Sequence, residues 1–129
     1  MSKIIGYLRI STNKQELDNQ RLSIMDYAHS KNITVDEFLQ IQASSKLSVA
    51  KRMIDVLFEK LNEGDTLIVS ELSRLGRSLG QVIQIIDKLI KHKIKFLALK
   101  ENIILDGKQS IQSKVMVTMF GLFAEIERD

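Results

Sequence analysis

Short apolar runs alternate with stretches of helical periodicity along this chain, and that alternation limits the folds open to it more than any other feature. Lys3 to Ile10 is β-branched and aromatic in character and reads as a largely buried strand. Asn13 and Glu16 then have the form of a capping box, and Leu17, Ile24 and Ala28 follow at helical spacing with Leu22 and Met25 beside them. This predicts a helix from about Lys14 to Ser30, closed by Asn32, before a second strand from Ile33 to Ile41. Gln42 to Ser48 is small and polar, as in a loop. Helix signals resume near Val49, with Met53, Ile54, Leu57 and Leu61 on one face. After a Gly64-Asp65 turn, Thr66 to Val69 is a continuous apolar run of the kind found in the middle of a parallel sheet. Ser73 and Ser78 both have the form of N-caps, Ser78 with Gln81 opens a third helix, Ile94 to Leu99 reads as the fourth strand, and Ile103 to Leu105 as a further short one. Strands and helices in alternation imply an α/β fold, with a mainly parallel sheet of four to five strands flanked by helices. At 129 residues the chain is long enough for one domain with a real core.

Two polar interruptions stand out against this frame. Arg9 lies inside the first apolar strand, where a guanidinium loses hydration and needs an anion to compensate, and Ser11 comes two residues later. The next helix begins beside Ser11, so its N-terminal N–H groups favour an anion there, with Gln15 and Gln20 as polar side chains that can turn toward it. Glu71 to Ser78 forms the second interruption, directly at the end of the buried strand Thr66 to Val69. Arg74 and Arg77, three apart, would project from one side at the sheet end where ligands of open α/β folds collect.

Several chemistries are excluded. There is no cysteine, hence no disulfide or thiolate, and the two histidines, His29 and His92, fall on polar helix surfaces, which gives no basis for a metal site. Neither a G-x-S-x-G elbow nor a G-x-x-x-x-G-K-[ST] loop occurs, so esterase and P-loop nucleotide chemistry lack their motifs. A net charge of +3 permits a polyanionic partner without demanding one. No apolar run approaches the ~18 residues of a membrane span, and the opening Met-Ser-Lys is not a signal peptide, so a cytoplasmic protein without membrane contact is expected. What remains is a serine hydroxyl among arginines, a set that suits a phosphodiester because guanidinium groups bind its non-bridging oxygens and offset the charge that builds up in an in-line displacement.

Ile111 to Arg128 reads as a helix whose apolar residues cover more than the stripe needed to pack on its own sheet. Met116, Met119, Phe120 and Phe123 suit an adaptable contact with another chain. The sequence reaches Glu127-Arg128-Asp129 without a helix terminator, and the expectation is a helix that continues.

Taken in order, Tyr7-Leu8-Arg9-Ile10-Ser11-Thr12, Gln20, Glu63-Gly64-Asp65, Leu72-Ser73-Arg74-Leu75-Gly76-Arg77-Ser78 and Ala124-Glu125-Ile126-Glu127-Arg128 resemble the catalytic domain of the serine recombinases, the resolvase and invertase family. The resemblance implies a DNA strand-cleaving and rejoining enzyme that needs neither metal nor other cofactor. Ser11 would be its nucleophile, giving a 5′-phosphoserine link and a free 3′ hydroxyl. It further implies that Arg9, Arg74 and Arg77 bind phosphate, that Gln15 and Gln20 assist, that Ser45 and Arg128 contact phosphate, and that the loop cation is Lys51 or Arg52, of which Arg52 carries the guanidinium. DNA, a homodimer and a synaptic homotetramer joined through the C-terminal helix are the implied partners, and the family's separate DNA-binding domain would be absent from these residues. The family often carries an aspartate where this chain has Ser73, so a carboxylate proton donor is not implied at that position. A noncatalytic phosphate- or DNA-binding module and a dimerisation module are the alternatives, and a hydroxyl placed among the cations speaks against the first.

Overall fold

The computed structural model describes residues 2–10, 14–42, 55–75 and 79–105. They run through β1 (Ile4–Ile10), α1 (Lys14–Ser30), β2 (Glu37–Gln42), α2 (described over residues 55–60), β3 (Thr66–Val69), a 3-10 turn (Leu72–Arg74), α3 (Leu79–Lys91), β4 (Lys95–Ala98) and β5 (Ile103–Leu105). One five-stranded sheet results, in the order β2-β1-β3-β4-β5, with β5 antiparallel to β4 and the remaining pairs parallel. The mainly parallel α/β architecture expected from the sequence is therefore present. The apolar helix expected over Ile111 to Arg128 lies outside the described residues.

Alternation along the strands divides the core in two. Ile5, Tyr7, Leu67, Val69, Phe96 and Ala98 point to one face, where Val82, Ile86 and Leu89 of α3 and Leu57 of α2 cover them. Leu8, Ile68 and Leu97 point to the other, under Leu17 and Ile24 of α1. Both faces are apolar because helices cover both, as the continuous apolar run in β3 required. Each Val, Leu, Ile or Phe among them, when fully buried, stabilises the fold by about 1.5–3 kcal/mol before chain entropy is counted.

Both long helices end by the same device. Asn32 and Lys93 take left-handed backbone angles, φ 56° and 59°, and the next N–H reaches back five residues, Ile33 to the Ala28 carbonyl at 2.9 Å and Ile94 to that of Leu89 at 3.0 Å. An apolar residue follows each left-handed one and tucks the chain into the core.

The strand expected over Ile33 to Ile41 is shifted to Glu37–Gln42. Ile33 and Val35 pack on the α1 side of the core instead, and the chain enters the sheet only after Asp36, whose N–H donates to the Ile4 carbonyl at 2.8 Å and whose Oδ2 accepts from the Ile4 N–H at 2.7 Å. Phe38 then lies against the backbone of its β1 neighbour Gly6, where a Cβ would come within 2.7 Å of its ring. The strand expected over Ile94 to Leu99 is likewise trimmed to Lys95–Ala98, because Ile94 is used to close α3. Ser73 is not an N-cap. It sits inside the 3-10 turn, Glu71 holds the cap position without a side-chain cap bond, and the Leu72 N–H is taken up by Glu101 Oε1 at 3.2 Å.

Asp65 is a buried carboxylate, 2% exposed, that ties the sheet's lower end together. Its Oδ1 accepts from the Lys3 N–H at 2.9 Å and its Oδ2 from the Asn62 N–H at 2.8 Å, which fixes the entries to β1 and β3 side by side. Asp65→Ala leaves both donors unpaired and is expected to cost about 2–4 kcal/mol in urea unfolding, with Asp65→Asn milder because it keeps one acceptor.

Burial pushes the Tyr7 phenol up to about 12, with the charge of Arg9 opposing the rise. A group raised in the folded state holds its full contribution below its unfolded value near 10 and loses it as pH climbs to about 12. Wild type should therefore lose about 2–3 kcal/mol more than Tyr7→Phe between those limits, read by denaturant unfolding at several alkaline pH values.

Candidate functional site

Chain connections leave the sheet in opposite directions on either side of one gap. From β1 the chain crosses through α1 to β2, whereas from β3 it crosses through α3 to β4, and the two helices lie on opposite faces. The carboxyl ends of β1 and β3 are thus left open between diverging connections, the place where open α/β sheets collect ligands. Arg9 is in the last turn of the pleat on β1, and Glu71 to Arg74 follow β3.

Gln20 fills the gap. Pairing of β1 with β3 ends at Tyr7 and Val69, so the next β1 backbone groups facing that side, those of Arg9, have no strand beside them. The Gln20 side-chain amide takes the place of the missing strand: the Arg9 N–H donates to Gln20 Oε1 at 3.1 Å, and Gln20 Nε2 donates to the Arg9 carbonyl at 2.8 Å. At 3% exposure, Gln20 is as buried as the leucines around it, and it shares the inward stripe of α1 with Leu17, Ile24 and Ala28. Leu22 and Met25, by contrast, face solvent.

Beyond Gln20 a cleft of about 580 Å3 opens between α1 and the ends of β3 and β4, lined among others by Glu16, Ser70, Glu71, Arg74 and Lys100. The Arg74 guanidinium spans it. Nη1 is paired with Glu16 on α1, Nη2 with Glu71 Oε1 at 3.1 Å, and the other Glu71 oxygen meets Lys100 Nζ at 3.2 Å. Glu101, next in the chain, accepts the Leu72 N–H; burial raises its carboxyl above the ordinary value, the Leu72 N–H and its own backbone N–H oppose this, and the neighbouring Glu71 charge adds to the rise. The site is an alternating chain of charges centred on one arginine, with Arg74 Nε buried and unpartnered among the described residues.

Of the residues singled out from the sequence, Gln20 and Arg74 share this cleft. Arg9 is held through its backbone, and by strand alternation its half-buried side chain leaves the sheet on the face of Tyr7 and Ile5. Gln15 is exposed in the first turn of α1. Ser73 lies in the 3-10 turn, its side chain not described, and Ser11, Ser45, Lys51, Arg52, Arg77, Arg128, Met116, Met119, Phe120 and Phe123 lie outside the described residues. Four charged residues of the site were not singled out. Glu16 reads from the sequence as part of a capping box, yet its carboxylate holds Arg74; Glu71 carries the i, i+3 spacing to Arg74 that could have revealed it; Lys100 and Glu101 offer no sequence signal, since only the β4–β5 turn brings them here. Among the described residues no group of three or more His, Asp or Glu side chains is placed to hold a metal, and no helix is long and apolar enough to cross a membrane.

Comparison with known proteins gives a consistent result. The family model described as the resolvase N-terminal domain matches residues 4–129. A resolvase of Clostridium perfringens is 30% identical over 127 residues, covering 98% of this chain and 64% of that protein. The transposon Tn552 DNA-invertase BinR of Staphylococcus aureus is 33% identical over 128 residues, covering 97% of this chain and 61% of the relative. The chain thus spans a little under two thirds of the curated relatives it matches. Among solved structures, the N-terminal catalytic domain of TP901-1 integrase superposes with a TM-score of 0.67 at 26% identity, over 98% of this chain and 97% of that one.

Replacing Gln20 by Ala should release the end of β1. Two buried hydrogen bonds are lost and two backbone groups are orphaned, for an expected cost of about 2 kcal/mol in urea unfolding. Hydrogen exchange at the Arg9 amide should accelerate more than at Tyr7, whose β3 partner remains.

Proposed function

From the premise that this chain belongs to the resolvase N-terminal domain family, we propose that it is the catalytic domain of a site-specific DNA recombinase. The carrying observation is the family match itself, which runs through both polar interruptions of the sequence, Arg9-Ile10-Ser11 and Leu72 to Ser78, rather than through the core alone. An arginine at the open carboxyl ends of the parallel strands supports it.

In this mechanism the Ser11 Oγ attacks a DNA phosphorus in line. The Oγ–P bond forms as the P–O3′ bond breaks, the serine gives up its proton, and the departing 3′ oxygen gains one. The product is a 5′-phosphoserine link that keeps the energy of the broken phosphodiester, so attack by a 3′ hydroxyl after strand exchange can reseal DNA without ATP or metal. Arg9, Arg74, Arg77 and Arg52 serve the non-bridging oxygens, since arginine stays charged at neutral pH and can bind them in pairs. Gln15, Ser45, Ser73 and Arg128 contribute further phosphate contacts. Gln20 acts at one remove, by fixing the Arg9 backbone two residues before the nucleophile. Exchange of strands needs more than one copy, and Met116, Met119, Phe120 and Phe123 are the residues assigned to dimer and tetramer contacts.

The test is chemical. The protein carrying this chain, incubated with DNA that flanks its own gene and quenched in denaturant, should yield protein covalently joined to a 5′ end, with the link mapped to Ser11 and absent from Ser11→Ala. An adduct that survives the substitution would move the nucleophile elsewhere. Bound, assembled protein that leaves no adduct would favour a noncatalytic DNA-binding module.

A further inference from the structure

Arg74 meets two carboxylates whose settings differ in the features that make a contact permanent or exchangeable. Glu71 stands at the start of the same 3-10 turn, which closes through the Arg74 N–H on the Glu71 carbonyl at 3.1 Å, so little chain freedom is lost in bringing the two side chains together. Both of its oxygens are engaged, one by Arg74 and one by Lys100. Glu16 reaches Arg74 from the opposite wall of the cleft, on α1, and its side chain is more open, 33% against 20% for Glu71. It also sits in the first turn of α1, where N–H groups and the helix dipole favour a negative charge. A carboxylate of the protein's own chain therefore occupies the helix-end position, facing a guanidinium, that would suit a phosphate.

We propose that the two glutamates act oppositely on one guanidinium: Glu71 is a positioning residue that keeps Arg74 at the cleft, and Glu16 is an internal anion that covers the phosphate-binding edge of Arg74 until a DNA phosphate displaces it. This rests on Arg74 being a phosphate ligand, as proposed above. The buried, unpartnered Nε shows that the two carboxylates do not saturate the donors of Arg74 among the described residues, so a guanidinium that turns from Glu16 while keeping Glu71 has donors left for a phosphate. While Glu16 is in place, a negative charge at the cleft mouth opposes DNA, and the opposition weakens with salt because the pair is partly exposed.

Arginine side-chain NMR of the full protein, following the Arg74 Nε–Hε signal during titration with a short DNA duplex of arbitrary sequence at low ionic strength, separates the two roles. In wild type the signal should stand apart from those of solvated arginines and move on DNA addition. Glu16→Gln should bring the same movement at roughly two- to fivefold lower DNA concentration, the range of a partly exposed ion pair. Glu71→Gln should collapse the signal toward the solvated position and weaken the DNA response by roughly tenfold, with Glu71→Asp restoring part of both. Should Glu71→Gln not fold, Lys100→Ala, which frees one oxygen of Glu71 from an exposed position, must still loosen the signal, or the holding role is wrong. A wild-type response to DNA that Glu16→Gln leaves unchanged or weakens would overturn the proposal and leave Arg74 as a phosphate ligand. Absence of any DNA response in wild type and variants alike would overturn both.

Discussion

A strand bonded along both edges and covered on both faces can offer chemistry only at its ends, and β1 is such a strand. Its backbone is committed to β2 and β3, its Ile5 and Tyr7 side chains pack on the side of α3 and its Leu8 side chain on the side of α1. The site therefore depends on how the carboxyl end of β1 is held where β3 falls short. The Gln20 amide does this by reproducing, from a helix, the donor and acceptor of a neighbouring strand. A backbone group left unpaired here would draw water into the sheet, and the position of whatever follows Ile10 would loosen with it.

Around this fixed point the charges are arranged with little slack. Arg74 bridges the two walls of the cleft, and each of its carboxylates is positioned by a different part of the fold: Glu71 by the tight turn after β3, Glu16 by the start of α1. Lys100 and Glu101, from the turn that sends the chain back into β5, brace the same turn through Glu71 and the Leu72 N–H. Movement of α1 relative to the sheet would alter the Glu16 contact and leave the Glu71 contact in place. That asymmetry links the position of a helix to the availability of one cation.

Much of the fold was legible from side-chain pattern alone. The β-branched content of β1, the apolar run of β3 and the stripe of α1 follow from periodicities that survive any tertiary setting, and α1 was delimited from Lys14 to Ser30 by its stripe and its closing Asn32. The errors fell where ladder geometry decides instead. Ile33 and Val35 look like strand residues because they are apolar and β-branched, yet they serve the core from an irregular approach, and Ser73 looks like a cap because a serine precedes helical residues. Both assignments failed because the group that bonds the local backbone, Ile4 in one case and the Glu101 carboxylate in the other, is distant in sequence.

The sequence by itself determined the alternation of strands and helices, the two apolar faces, and the two polar interruptions where chemistry can occur. These depend on the character and spacing of neighbouring residues, which no later folding event changes. Tertiary structure alone decided that Gln20 is spent on the backbone of Arg9, that Glu16 and Glu71 hold one guanidinium between them, and that Lys100 and Glu101 belong to the site at all. Hydrogen bonds and ion pairs act over a few ångströms, and the residues that make these contacts are up to 58 positions apart in the chain, brought together only when α1 and the ends of β3 and β4 close around the cleft.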